Sequence, residues 1–294
     1  MENNVSIIIP TYKRGDVIRK TLPSYLRQKS VKEIIVVDDS GFAFNDINGL
    51  IKSHQLIKYY SPEKRLGLPG ARNFGLEKAT GDFIIFGEDD VEFTPNYVKI
   101  LLEQMEKENA DIIGGRQIFL HKGDNKASAL ANAQRLKEKD LYLNYPADIN
   151  FSVDLKRNIE LHALLPFALF RKGVFSGLRY DENLKGNYHR EETDLYVSAL
   201  EKGFKIVFCH IPFVWHHRHM SQKGGCRIQF KLFLELSLLK NDIYFWKKHY
   251  KFLKGHLKLR SFMLYYILSY HASRYLNNAR EMASRVFPSK VSGS

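Results

Sequence analysis

Four short apolar runs, each ending in polar residues, constrain this chain most. They are Val5-Ser-Ile-Ile-Ile9, Glu33-Ile-Ile-Val-Val37, Leu56 to Tyr60, and Phe83-Ile-Ile-Phe86. Each is too short for a helix, and the runs are apolar on both sides, as strands covered on both faces are. Residues 15–29, about 44–54 and about 69–79 between them have helical spacing; in the first, Val17, Ile18, Leu22, Tyr25 and Leu26 share one side. Thr94-Pro95 begins a further helix to about residue 108, and Asp111 to Phe119 reads as another strand. Strands alternating with helices predict a parallel sheet with right-handed crossovers.

In such a sheet the carboxyl ends of the strands share one edge, and ligands bind there. That edge gathers Pro10-Thr-Tyr-Lys-Arg14, Asp38-Asp39-Ser40 and Glu88-Asp89-Asp90. Three consecutive acids repel one another and need neutralising. A divalent cation carrying a phosphorylated ligand would do so; an acidic turn solvated at the surface is the alternative. Pro10 to Arg14 offers a hydroxyl, an aromatic ring and two cations. The ring can stack on a base and the cations can meet phosphate, or the segment is an ordinary helix cap. There is no GxxxxGK[ST], and no GxGxxG follows the first strand. That excludes a P-loop NTPase and disfavours a dinucleotide-binding domain.

Beyond residue 120 the pattern loosens to about 160, consistent with loop and helix over the sheet. Pro166 to Phe170 and Phe204 to Phe208 read as strands, and Glu191 to Lys202 as a helix stopped by Gly203. Two long helical segments, about 228–250 and 256–286, follow. Residues 230–294 hold 12 Lys and Arg against 3 Asp and Glu, so most of the net charge of +13 lies in this tail. Its apolar positions, including Phe230, Phe233, Leu234, Phe262, Met263, Tyr266, Ile267 and Tyr270, suit packing on the rest of the chain. Its charge leaves a second option, peripheral contact with an anionic membrane. No nucleic-acid-binding motif is present. Cys209 and Cys226 support neither a disulfide framework nor a cysteine zinc site and suit a reducing compartment. The first residues lack a signal-peptide layout, and no apolar run approaches the ~20 residues of a membrane span. The expected location is cytoplasmic, with the inner face of the cell membrane as the place of any peripheral contact.

Several segments together carry a resemblance. Val5 to Arg14, Ile34-Ile-Val-Val-Asp-Asp-Ser40, Gly67-Leu-Pro-Gly-Ala-Arg-Asn-Phe-Gly75 and Ala79-Thr-Gly-Asp-Phe-Ile-Ile-Phe-Gly-Glu-Asp-Asp90 occur in order. They resemble the nucleotide-sugar domain of glycosyltransferase family 2, which has the GT-A fold. Arg190-Glu-Glu-Thr-Asp-Leu195 is similar to that family's acceptor-side acidic motif, and Lys223-Gly-Gly-Cys-Arg227 to a segment that follows it. The resemblance covers about residues 4–227. It implies an α/β fold, a mostly parallel GT-A sheet flanked by helices, over residues 1–227. The nucleotide-sugar half would be about 1–119 and the acceptor half about 120–227. Residues 228–294 would form a basic helical C-terminal extension.

The resemblance also implies roles. Pro10, Thr11, Tyr12 and Arg14 would line the nucleotide pocket, Asp39 would accept hydrogen bonds from the base, and Arg72 would help hold the nucleotide or its diphosphate. Asn73 would brace its loop. Asp89 would face the ribose and Asp90 would bind Mn²⁺ or Mg²⁺. Glu88, where the family often has Asp, is left without a settled role. His216, in His216-His-Arg-His219, would meet the metal or the diphosphate. The implied reaction is inverting transfer from a UDP-, GDP- or dTDP-linked sugar to a glycan or lipid-linked acceptor. A carboxylate would be its base: Glu192 by position, Glu191 as the alternative. Both also suit the first turn of a helix as ordinary complements of its dipole. Two rivals remain at this point, a sugar-nucleotide nucleotidyltransferase and a non-catalytic glycan-binding relative.

Overall fold

Isoleucine and valine dominate the apolar runs, and alternate residues of each run enter different cores. The computed structural model describes residues 4–144, 146, 148–218, 220 and 231–286. In chain order its first elements are β1 (Val5–Thr11), α1 (Gly15–Leu26), β2 (Val31–Asp38), α2 (Phe44–Ser53), β3 (Ile57–Tyr60), α3 (Gly67–Lys78) and β4 (Phe83–Phe86). Then come β5 (Val91–Phe93), α4 (Tyr97–Glu108), β6 (Ile112–Leu120), α5 (Lys126–Arg135), β7 (Tyr142–Asn144), β8 (Asp148–Ile149), β9 (Ile159–Glu160) and β10 (Leu169–Arg171). The chain continues through α6 (Glu191–Glu201), β11 (Ile206–His217), α7 (Lys231–His256) and α8 (Met263–Val286).

The main sheet has the order β3-β2-β1-β4-β10-β6-β11-β5, with β9 paired to β11. Pairs β1–β2, β1–β4, β2–β3 and β6–β11 are parallel. Strand β10 runs antiparallel to both its neighbours, and β5 antiparallel to β11. The sheet is thus mostly parallel, as expected, and its antiparallel members are β10 and β5, with β9 beside β11. Strand β10 enters after the long excursion through α5, β7, β8 and β9, so no helical crossover sets its direction. The strand expected over Pro166 to Phe170 begins only at Leu169, and the one expected over Phe204 to Phe208 extends to His217.

Two cores result from the two-residue period of the strands. Ile8, Ile35, Val37, Ile84 and Phe86 face one side with Leu76 of α3 and Leu195 and Tyr196 of α6. Ile7, Ile9, Ile34, Val36 and Ile85 face the other with Ile18 and Leu22 of α1 and Leu101 and Met105 of α4. All but Leu76 in these two sets are essentially closed to water. Each such side chain contributes about 1.5–3 kcal/mol of burial. Helix α3 lies so close to β1 that a Cβ on Gly75 would stand 2.3 Å from Ile8 Cγ2, so only glycine fits. This seating holds Arg72 and Asn73 under the carboxyl edge of the sheet.

Helices α7 and α8 form an antiparallel hairpin, clasped by Glu235–Arg274 ion pairing and by Trp246 stacked on Tyr266 at 5.3 Å. Phe245, Trp246, Leu253, Leu259, Tyr266 and Ile267 make a smaller core against Val197 of α6. Polar contacts seal the junction: Lys248 and His249 each reach Asp194 at 2.9 Å, and Arg190 Nε donates to the buried Asp242 at 2.8 Å. Among the described residues, no helix is long and apolar enough to cross a membrane.

Candidate active site

Strands β1, β2 and β4 end side by side, and the residues at and just beyond their ends open onto a cavity of about 740 Å³. Pro10, Thr11, Tyr12, Arg14, Asp39, Glu88, Asp89, Asp90, Glu192 and His216 all line it. Arg72 and Glu191 do not; they are buried behind its wall.

The loop after β4 is fixed from below by α1. Thr21 Oγ1 donates to the Asp89 carbonyl at 2.7 Å, and Tyr25 OH donates to the Glu88 carbonyl at 2.8 Å. Tyr25 reads in sequence only as part of an apolar face. A buried tyrosine hydroxyl nevertheless needs a partner, and that need is the signal that could have linked it to the loop. The acids are then neutralised from the side. Thr11 Oγ1 donates to Asp89 at 2.8 Å, and Arg14 pairs with Asp89 at 2.6 Å and Asp90 at 2.8 Å. Arg14 thus sits on the acids themselves.

His216 approaches from β11, with Nε2 3.6 Å from Asp90 and Nδ1 3.0 Å from Gln117 Oε1. Gln117, on β6, had no sequence signal; register with β11 brings it there. With Nδ1–H donated to Gln117, Nε2 faces Asp90: it carries a proton in the imidazolium and would offer its lone pair once that proton is lost. Glu88, Asp90 and His216 each offer a ligand atom, all within 4.8 Å of one another. Two hard carboxylate oxygens and one imidazole nitrogen fit Mn²⁺ or Mg²⁺. Glu88, left open by the sequence, joins this cluster.

Charge crowding shows in the protonation equilibria. Burial, then the Asp90 charge, pushes Glu88 up to about 7. Burial also raises Asp89 to about 7, outweighing Arg14. Asp90 goes the other way: against its burial, His216 and Arg14 hold its carboxyl below the ordinary range. Burial by itself would lower His216, but the Asp90 carboxylate outweighs it and raises the imidazole.

Across the cavity, α6 begins with Glu191 and Glu192. Arg72 joins the two sides. Its guanidinium, wholly buried, lies 2.7 Å from Glu191, and its Nη2 lies 3.2 Å from Glu192 and 3.7 Å from Glu88. The resemblance implies Arg72 at the nucleotide or its diphosphate; three carboxylates occupy it instead. Glu191 is enclosed against Arg72. Its own burial, with Glu192 and Glu88 nearby, raises its pKa well above the ordinary value. Glu192 keeps about a third of its side chain open, toward the cavity.

Asp39 has both oxygens engaged, by Leu66 N at 2.5 Å and Gly67 N at 2.9 Å, which ties it to the start of α3. Each oxygen keeps a further acceptor position. The Arg65 guanidinium lies over the Tyr12 ring at 4.3 Å. Asn73 bridges to the Tyr180 backbone in both directions, at 3.0 Å each. The far end of the cavity is lined by Asp148, His162, Tyr188, His189 and Tyr270. His219 and the segment Lys223 to Arg227 lie outside the described residues.

Comparison with known proteins agrees with this geometry. Residues 6–178 match the model of "Glycosyl transferase family 2". The chain is 26% identical over 207 residues to the Campylobacter jejuni GalNAc(5)-diNAcBac-PP-undecaprenol beta-1,3-glucosyltransferase; the match covers 69% of this chain and 62% of that one. It is 23% identical over 259 residues to the amylovoran biosynthesis glycosyltransferase AmsB of Erwinia amylovora, covering 83% and 82%. Among solved structures, GalNAc-T7 with UDP, GalNAc and Mn²⁺ has a TM-score of 0.60 at 17% identity, over 83% of this chain and 48% of that one. S. aureus TarS 1-349 in complex with UDP has a TM-score of 0.55 at 17% identity, over 87% and 75%. The fold is GT-A, and the chain belongs to glycosyltransferase family 2.

Proposed function

We propose that the protein transfers a sugar, with inversion and in a metal-dependent way, from a nucleotide-sugar donor to a lipid-linked glycan. One observation carries this reading. A single nitrogen of Arg72 lies 3.7 Å from Glu88 and 3.2 Å from Glu192, so the ion cluster and an open carboxylate meet at one guanidinium behind the cavity wall. Inverting displacement needs that arrangement: positive charge where the diphosphate leaves and a base where the acceptor hydroxyl attacks. Glu88, Asp90 and His216 would hold Mn²⁺ or Mg²⁺, which would supply charge stabilisation to the leaving diphosphate.

The chain's own residues divide the remaining tasks. Thr11, Tyr12 and Asp39 line the nucleotide end, and the Arg65 guanidinium over the Tyr12 ring adds a cation there. Glu192 would take the acceptor proton, because it faces the cavity. Arg72, itself anchored by Glu191, holds that carboxylate in place from behind. The acceptor class is drawn from the Campylobacter relative, whose name specifies an undecaprenol-linked substrate. A location at the inner face of the membrane belongs to the same reading. The donor base is left among UDP, GDP and dTDP; the UDP-bound neighbours favour UDP.

Glu192→Gln tests the assignment. It should keep Mn²⁺-dependent binding of UDP, read by calorimetry, and lose transfer by about 10²–10⁴-fold. If Glu191→Gln alone gives that pattern and Glu192→Gln does not, the base is the neighbouring carboxylate.

A further inference from the structure

Helix α8 has two apolar faces, and the fold covers one of them. Tyr266 and Ile267 are buried against α7 and α6. Leu264, Tyr265, Leu268, Tyr275 and Leu276 are each 58–60% exposed. At helical spacing these five fall within an arc of about 120°. Phe262, just before the helix, is 83% exposed. A helix on a globular surface needs one apolar stripe, and a second one turned to solvent marks a place where something docks.

Helix α7 continues this surface. Its inner side holds Asp242, Phe245 and Trp246 against the fold. On its outer side Leu232, Phe233, Leu236 and Leu239 are 39–60% exposed, and further along the same side come the exposed Lys240, Lys247, Lys251 and Lys254. Lys258 and Arg260 add charge at the turn between the helices. Among the described residues, none of these six cations is in a salt bridge. The nearby acids are already used: Glu235 pairs with Arg274 and Asp242 with Arg190.

We propose that the outer face of the α7–α8 hairpin docks on an anionic phospholipid surface. The helices would lie in the plane of the interface, with the leucine and aromatic side chains at the acyl boundary and the lysines among the phosphates. The charge selects this occupant over a second copy of the chain. A two-fold contact through the same face would set one lysine-rich surface against another. The inner side of α8 meanwhile sends Tyr270 into the cavity, with its ring stacked on His189 at 5.3 Å. One helix therefore connects the docking surface to the far end of the site. That link to catalysis rests on the proposed lipid-linked acceptor; the docking itself does not.

Co-sedimentation of the full chain with vesicles, without donor or acceptor, tests the proposal. Phosphatidylcholine vesicles containing phosphatidylglycerol should carry the protein down about tenfold better than phosphatidylcholine alone, and added salt should weaken this. The triple variant Leu264→Ser, Leu268→Ser, Leu276→Ser should bind about tenfold more weakly, because each substitution removes inserted apolar surface. Its unfolding midpoint and Mn²⁺–UDP affinity should match the parent, since these residues are exposed and away from the cavity. Lys247→Gln with Lys251→Gln and Lys254→Gln should remove the preference for the anionic lipid. Wild-type protein that stays in the supernatant overturns the proposal. So does a triple variant that sediments like the parent, or a dimer abolished by the same leucine substitutions without lipid binding. Vesicle binding that survives a failure of sugar transfer would remove the proposed function and leave the docking surface standing.

Discussion

Glu33 and Glu88 are the same residue at opposite edges of one sheet, and their surroundings give them opposite chemistry. Glu33, near the start of β2, accepts from Ser6 Oγ at 2.6 Å, from Thr80 N at 2.7 Å and from Thr80 Oγ1 at 2.9 Å, and pairs with Lys58 at 2.5 Å. Burial alone would raise its pKa; Lys58, Ser6 and Thr80 overcome that and bring it to about 2. Glu88, after β4, stands beside Asp90 and shares the one buried Arg72 with Glu191 and Glu192. It is raised to about 7. A carboxylate given its full set of donors is a structural clamp. One crowded by other carboxylates, with a quarter of its side chain open to a cavity, carries charge that its neighbours do not balance, which is what the proposed ion would relieve.

The largest test of this contrast is Asp90→Ala. If the crowded edge exists to hold an ion, transfer with Mn²⁺ should fall about 10²–10³-fold, because stabilisation of the leaving diphosphate is lost. Full activity in that variant would remove Asp90 from the ion site. Next comes Arg72→Met. Three carboxylates would lose their common cation, and stability should drop by about 3–5 kcal/mol in urea unfolding. Adding Glu191→Gln should recover part of that loss, since it removes one of the stranded charges. If the double variant is no better than the single, Arg72 acts by packing alone.

These two sites differ in how far the sequence reveals them. The acids at the ends of β1, β2 and β4 follow from apolar runs and from the rule that parallel strands end together. The place of Glu88 beside Asp90 and His216 does not, because it depends on His216, which arrives through the register of β11 on β6. Arg72 is harder still. An arginine in a short amphipathic helix reads as solvent- or ligand-facing, since Arg is rarely buried unless paired. Its partners lie elsewhere in the chain, Glu192 being 120 residues away. The antiparallel entry of β10 left no mark in three residues of sequence. Helices α7 and α8 were legible as helices. With apolar residues on two faces of α8, spacing alone cannot say which face the fold covers.

The smallest effects, and the ones that separate the two edges most directly, come from pH in metal-free protein. Glu33 has a folded pKa of about 2, below its ordinary 4.5. The unfolded chain therefore binds the extra proton, and the stability from Glu33 is present above 4.5 and lost as pH falls toward 2. Glu88 and Asp89 have the opposite sign. Their folded values of about 7 lie above the ordinary 4.5 and 3.8, so the folded state binds the extra protons. Their contribution is present below about 4 and lost as pH rises to 7. Unfolding midpoints across this range should fall at both ends. Glu33→Gln should cost about 1–3 kcal/mol near pH 6 and flatten the acid limb, because the charged hydrogen bonds that titrate there are gone. Glu88→Gln should leave the acid limb alone and shrink the decline between about 4 and 7. Adding Mn²⁺ should stabilise the wild type more at pH 8 than at pH 5, since an ion at the Glu88, Asp90 and His216 cluster competes with the proton that Glu88 holds below 7. Equal stabilisation at both pH values would mean that Glu88 does not meet the ion, and the contrast with Glu33 would then be one of crowding without function.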